Sequence, residues 1–111
     1  MRTLTALSIF ALAAACQRTP QQQQNDKLRQ DAQLQGAAIE NQADTQANEL
    51  ESKAAALHNG AQQAGGYTGR RLNVRADALD KEAGLIRKQA GMQADAVKEA
   101  ADAQAKATES R

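Results

Sequence analysis

The sequence has few of the side chains that build catalytic sites and large cores. In 111 residues it contains one Cys, one His, one Pro, one Tyr, one Phe and no Trp. Leu, Ile and Val supply only about a tenth of the residues after position 16, which leaves little to line a closed pocket for a small-molecule substrate. A single Cys excludes a disulfide within the chain. These shortages predict that the protein is not an enzyme and has neither catalytic residues nor a cofactor.

The polar side chains also lack the spacing of a metal or nucleic-acid site. His58 is the only imidazole, and no second His or Cys-x-x-Cys motif accompanies it, so we expect no metal site. Arg70, Arg71 and Arg75 form a basic cluster next to Tyr67. A net charge of +1 gives too weak a field for binding nucleic acid. We interpret the cluster as a solvated turn and helix start, with contact to anionic lipid headgroups or carboxylates as the alternative.

The N-terminal residues have a composition unlike the rest of the chain. Arg2 is their only charge, residues 4–14 form an apolar run, and small alanines precede Cys16. An apolar run of this length is too short to cross a bilayer, which takes about 20 residues. Residues 1–15 are therefore predicted to be a signal peptide that is cleaved between Ala15 and Cys16.

Small residues directly before a lone Cys, with Leu12 nearby, resemble the lipobox of bacterial lipoproteins. The resemblance covers only the leader, and Ala13 stands where that family prefers Leu. It implies that Cys16 carries acyl chains such as palmitate, and two or more such chains hold a protein stably on a membrane. It also implies a lipid-anchored protein of the cell envelope that faces the periplasm. The outer membrane is favoured over the inner because Gln17, not Asp, follows the Cys. An ordinary secreted protein with a free Cys16 is the alternative.

After the leader, the composition predicts a tether and then a helix. Residues 16–25 contain the acylated Cys, the only Pro and no large apolar residue, which is typical of a flexible Gln-rich linker. From Leu28 onward, apolar and small residues recur every three or four positions, the period of a helix. Because Asn25 or Asp26 supplies a cap, helix 1 is predicted over 26–58.

Glycines separate this run from a second helix. Four glycines within residues 59–69 predict a turn there. The apolar pattern then resumes, so helix 2 is predicted over 70–109. Its last part contains an eleven-residue repeat whose copies begin at Leu79, Ala90 and Ala101. Eleven residues in three turns, about 3.67 per turn, keep an apolar stripe on one face, and such repeats resemble those of late embryogenesis abundant proteins.

The stripes and charges of the two helices favour their pairing. If the chain folds back at the turn, residues whose numbers add up to about 129 or 130 face each other, and large residues then face small ones in most layers. Residues 26–60 carry three basic and six acidic side chains, whereas residues 70–111 carry nine basic and seven acidic ones. The sequence therefore predicts an all-α fold, a coiled-coil-like antiparallel helical hairpin. Partial disorder is the alternative, because few large residues are available for burial.

Together these predictions favour a membrane-anchored periplasmic lipoprotein with a structural or protein-interaction role in the cell envelope. It is similar in kind to the murein lipoproteins of the outer membrane, although their terminal Lys is missing from the Glu109-Ser110-Arg111 end. Its expected partners are the lipid membrane, through acylated Cys16, and either another copy of itself or another envelope protein. Nucleic acid and small molecules are not expected. The alternative is a stress-protective or membrane-adsorbing amphipathic protein that is disordered in water.

Overall fold

The computed structural model describes residues 19–110, which form two long helices. Helix α1 spans Pro20–Ala64 and helix α2 spans Gly66–Glu109. The helices run antiparallel and pack along their length, so the predicted all-α, coiled-coil-like helical hairpin is confirmed. Neither helix has an apolar stretch of the length needed to cross a membrane. The predicted signal peptide, its cleavage site and Cys16 lie outside the described residues.

Helix α1 begins earlier than predicted because Thr19 caps it. The Thr19 hydroxyl accepts a hydrogen bond from the Gln22 backbone N–H at 3.2 Å, and the Gln22 side chain accepts one from the Thr19 N–H at 3.3 Å. Pro20 fits the first helical position, where its missing N–H would have no partner. The prediction of a flexible tether over 16–25 is therefore wrong for residues 20–25. This capping box starts a helix that the glutamines, which have good helix propensity, continue.

A single glycine joins the two helices. Gly65 has φ +62° and ψ 176°, a conformation that residues with a Cβ rarely adopt. Its N–H donates to the Ala61 carbonyl at 2.9 Å, and its own carbonyl accepts from the N–H four residues later at 2.9 Å. The predicted turn over 59–69 is thus too long, because the residues on both sides of Gly65 are helical. Both helices extend beyond the predicted ranges 26–58 and 70–109, although the predicted C-terminal end of the second is correct.

The core between the helices is a seam of small residues, which we call the alanine seam. Among the described residues, the buried apolar side chains are all alanines: Ala32, Ala43, Ala47, Ala54, Ala61, Ala76, Ala83, Ala90, Ala94, Ala101 and Ala105. Gly36, Gly69 and Asn25 complete the seam. Since no apolar side chain in it extends past Cβ, the helix axes approach closely. Buried positions recur at intervals of four and seven in both helices, which together make the eleven-residue period and keep the seam straight.

Eight of the eleven large aliphatic residues in the described chain lie beside this seam, where they are only partly buried: Leu28, Ile39, Leu50, Leu57, Leu72, Leu79, Ile86 and Val97. The other three are mostly exposed. Large residues face small ones as predicted, since Ile39 and Ile86 share a groove with Ala43 and Ala90, but the buried apolar positions between the helices are all alanines. Ala47 is fully buried, whereas Leu50 one turn later is not. The predicted register is correct, since the Asn25 amide donates to the Ala105 carbonyl at 3.3 Å across the seam.

Candidate functional site

The hairpin presents two chemically different side faces, one on each side of the alanine seam. Ala43 and Ala90 line a groove with Ile39 and Ile86 on one side, and a groove with Arg87 and two carboxylates on the other. Spacings of seven and eleven residues place all eight large aliphatic residues named above on the first side, which we call the apolar face. The opposite side, which carries the interhelical ion pairs, is the ionic face.

The centre of the ionic face is built around Arg87 of helix α2. Its Nε donates to Asp44 Oδ1 at 3.3 Å, its Nη2 donates to Asn48 Oδ1 at 2.8 Å, and its guanidinium hydrogen-bonds both carboxylate oxygens of Glu51. The Arg87 guanidinium lowers the pKa of Glu51 through these hydrogen bonds. The charged side chains of this cluster are at least a third exposed. Water and salt therefore screen the pairs, which align the helices more than they stabilise them.

A second ionic cluster joins the helices at their open end. Arg29 donates from Nε to Asp102 Oδ1 at 3.2 Å and from Nη2 to Glu109 Oε1 at 3.4 Å. Lys106 lies 3.2 Å from the other Asp102 oxygen. Lys106, and then Arg29, lower the pKa of Asp102. Nearby, Asn25 is the buried polar residue of the described chain, and any slip of the helices would deprive its amide of the Ala105 carbonyl.

A third cluster surrounds the only imidazole, close to the turn. His58 Nδ1 lies 3.0 Å from Asn73 Oδ1, and Nε2 lies 3.6 Å from both Asp77 Oδ1 and Asp80 Oδ2. The hydrogen bond to Asn73, followed by the negative charges of Asp77 and Asp80, raises the pKa of His58. Two carboxylates that face one ring nitrogen favour the imidazolium form.

The same three ionisable residues are the group within residues 19–110 with the spacing of metal ligands. One ligand atom each from His58, Asp77 and Asp80 lies within 4.8 Å of the other two. The carboxylates are exposed, at 65% and 50%, and exposed acidic groups commonly cluster in this way without an ion. Sequence patterns missed this cluster because its members come from both helices. They meet only through the register of the hairpin.

The predicted basic cluster lies at the start of helix α2, on the outside of the hairpin. Arg70, Arg71 and Arg75 are exposed, as a solvated helix start requires. The Arg71 Cζ atom lies 5.8 Å from the centre of the Tyr67 ring, within reach of a cation–π contact. Tyr67 is itself 69% exposed, so this end of the hairpin offers an aromatic ring and three guanidinium groups to solvent.

Comparison with protein-family models, curated proteins and solved structures gives no match for this chain. The geometry of the hairpin is therefore the basis for proposing a function. The grooves along the alanine seam lie on the surface between the two helices. Ala15 and Cys16, the predicted cleavage and acylation residues, precede Thr19 by only a few positions.

Proposed function

We propose that this chain is a membrane-anchored lipoprotein with a structural or protein-interaction role in the cell envelope. Acylated Cys16 holds it on a membrane, with the hairpin facing the periplasm and the outer membrane favoured by Gln17. The observation that carries the proposal is the rod shape of the hairpin. Helix α1 has 45 residues without a break, which at roughly 1.5 Å per residue gives a length of about 68 Å.

The position of the anchor relative to the rod supports a spacer role. Thr19, the cap of helix α1, follows Cys16 by three positions, so the proposed anchor lies next to the open end of the hairpin. Gly65, at the turn, is at the other end. An acyl anchor there lets the turn reach roughly 65 Å from the lipid surface. A paired rod keeps its ends apart in a way that a flexible Gln-rich tether does not.

Mass spectrometry of the N-terminal peptide from the native protein tests the anchor directly. We expect a peptide that begins with Cys16 and carries a diacylglyceryl group. A peptide that begins with unmodified Met1 would overturn the proposal. The Cys16→Ser variant should move from the membrane fraction to the soluble fraction, whereas Gln17→Ser, which keeps the Cys, should stay with the membrane. Unchanged fractionation of Cys16→Ser would also overturn it.

The apolar face favours a second candidate, a membrane-adsorbing amphipathic protein with a stress-protective role. Its large aliphatic side chains are only partly buried by the partner helix, and such a stripe can lie on a bilayer. Circular dichroism of residues 17–111 separates the two candidates. Strong helix signal in plain buffer, increasing with concentration, supports the rod. Helix that forms only with anionic vesicles or on drying supports the second candidate.

A further inference from the structure

The mostly exposed large apolar side chains of helix α2 lie on its outer side, away from helix α1. They are 58–69% exposed, and we call them the outer stripe: Tyr67, Val74, Leu85 and Met92. Each precedes a buried alanine of the seam by nine residues, the alanines being Ala76, Ala83, Ala94 and Ala101. Nine residues make about two and a half helical turns. The outer stripe therefore runs straight along the side of the helix opposite the alanine seam.

Basic side chains border the outer stripe on both sides. Helical spacing places one exposed carboxylate, Glu82, beside it and five exposed cations: Arg70, Arg71, Arg75, Lys81 and Lys88. Asp77 and Asp80 instead face His58. Further along the helix the outer side continues with alanines, and the nearest charge is that of Glu99. Large apolar and basic side chains are thus exposed together on the half of helix α2 nearer the turn.

We propose that the outer stripe docks the folded hairpin on the surface of an anionic lipid bilayer. A helix that lies in the headgroup region has large apolar side chains on one side and Lys or Arg along their border, as helix α2 has. The apolar groups enter the lipid, while the long basic side chains extend to the phosphates. This inference concerns the folded hairpin, uses none of the side chains of the apolar face and does not depend on acylation.

The charge of the border favours a bilayer over a second copy of the chain. A two-fold contact between outer stripes would bring the cations of one copy near those of the other, and like charges repel. An anionic surface instead attracts each Lys or Arg near it, which strengthens binding roughly fivefold per residue. The stripe is also one side chain wide and about 38 Å long, on a convex helix surface. A flat bilayer accommodates this shape, whereas a protein interface buries a wider patch around a closely packed centre.

The turn end of the outer stripe has the groups that bind a lipid phosphate. Tyr67 and Val74 line a surface hollow together with three guanidinium-bearing residues, Arg70, Arg71 and Arg75. The Arg71 Cζ atom is 5.8 Å from the centre of the Tyr67 ring. Guanidinium groups pair with phosphate oxygens through parallel hydrogen bonds, and tyrosine rings are enriched at membrane–water interfaces. We therefore expect this end of the stripe to make the strongest contact with lipid.

Docking through the outer stripe defines how an anchored hairpin would lie. The stripe runs parallel to the helix axis, so the docked rod lies along the bilayer, whereas a rod held by Cys16 alone can stand upright. The two placements differ in whether the outer side of helix α2 touches lipid. A probe on that side of the helix separates them.

Tryptophan fluorescence of the full chain tests the contact. The chain has no Trp, so an introduced indole reports its own surroundings. With vesicles that contain phosphatidylglycerol, the indole of Leu85→Trp should shift its emission to shorter wavelength and be quenched by lipids brominated on their acyl chains. The matched control is Leu34→Trp, because Leu34 is 64% exposed on the outer side of helix α1. It should show neither change, and vesicles of phosphatidylcholine alone should give little quenching at either position.

Substitutions then test the basic border. Replacing the three arginines of the hollow by Gln in the Leu85→Trp chain should reduce the quenching to the level of the Leu34→Trp control, since each lost charge weakens the docked state roughly fivefold. Glutamine has good helix propensity, and an unchanged circular dichroism spectrum should show that the hairpin is retained. The control with the same net charge replaces three exposed lysines away from the stripe and should keep the quenching: Lys27, Lys53 and Lys98.

Five results would overturn the proposal. They are no quenching at position 85 with anionic vesicles, equal quenching at positions 34 and 85, equal quenching with and without anionic lipid, quenching that the arginine substitutions leave unchanged, and an emission shift without vesicles that grows with chain concentration. The last of these would assign the outer stripe to a second copy. Sedimentation with phosphatidylcholine vesicles, with Cys16 intact and with Cys16→Ser, reports the anchor separately. A failed anchor and a failed stripe therefore give different results.

Discussion

At the scale of single residues, the distance to the facing helix decides which side chain a position accepts. A Cβ added at Gly69 would lie 2.7 Å from the Ala61 carbonyl oxygen, too close for two unbonded atoms. A Cβ added at Gly84 or Gly91 would have no neighbour within 4 Å. These two glycines, seven residues apart, therefore do not create a close helix approach. Their effect on the hairpin is reduced helix propensity.

The same substitution should consequently have opposite effects at two glycines of helix α2. Gly84→Ala should raise the free energy of unfolding by about 0.5–1 kcal/mol, because it removes backbone entropy from the unfolded chain without a clash. Gly69→Ala should lower it by about 1–3 kcal/mol, because the methyl group pushes on the backbone of helix α1. Urea unfolding at one chain concentration measures both values. A change of the same sign in the two variants would contradict this account of the close approach.

Buried and exposed alanines should likewise respond differently to substitution by a larger residue. Ala47 is fully buried in the alanine seam, whereas Ala55 is exposed on the same helix. Ala47→Leu should lower the free energy of unfolding by about 1–3 kcal/mol, because the larger side chain separates the helices. Ala55→Leu should change it by less than about 0.5 kcal/mol. Equal effects in thermal or urea unfolding would mean that the seam is not closely packed.

At the scale of helices, periodicity and register could be predicted from the sequence, while the helix ends and the core could not. Apolar and small residues that recur every three or four positions predicted both helices. The pairing of residues whose numbers add up to about 130 predicted how the helices align. Residues 20–25 are polar, so their composition predicted a linker. The helix starts there because of a capping box, which forms through local hydrogen bonds and needs no apolar pattern. The sequence pattern placed large and small residues in the same stripes and did not show that only the alanines would be fully buried, because burial depends on how closely the helices approach.

The His58 cluster, which joins the two helices, should make the hairpin sensitive to pH. Asn73, Asp77 and Asp80 raise the pKa of His58 above its ordinary value of about 6.5. Stability from these contacts is therefore fully present below about pH 6.5 and is lost as the pH rises through the raised value. NMR titration of the single imidazole should give a pKa above 6.5. Asp77→Asn with Asp80→Asn should bring it down, and Lys81→Gln serves as the control. A normal pKa in the unsubstituted protein would remove the predicted pH dependence.

At the scale of the whole molecule, the seam between the helices and its two side faces differ in composition. The alanine seam brings the helices together, Asn25 and the ionic face fix their alignment, and the apolar face holds the half-buried large side chains beside the seam. A helical hairpin whose buried apolar side chains are all alanines gains little stability from its own core. If copies of the chain associate, its free energy of unfolding should increase with chain concentration.

Cysteine crosslinking tests the hairpin itself in the intact chain. Leu50 and Leu79 lie on the apolar face at positions that the register sets opposite each other. With Cys16 replaced by Ser, cysteines at these two positions should form a disulfide within one chain under mild oxidation, and dilution should not reduce its yield. Cysteines at Leu50 and Leu85 form the control pair, because Leu85 is 65% exposed and points away from helix α1. Disulfides mainly between chains in the first pair would indicate two continuous helices associating in parallel, and the hairpin would be wrong.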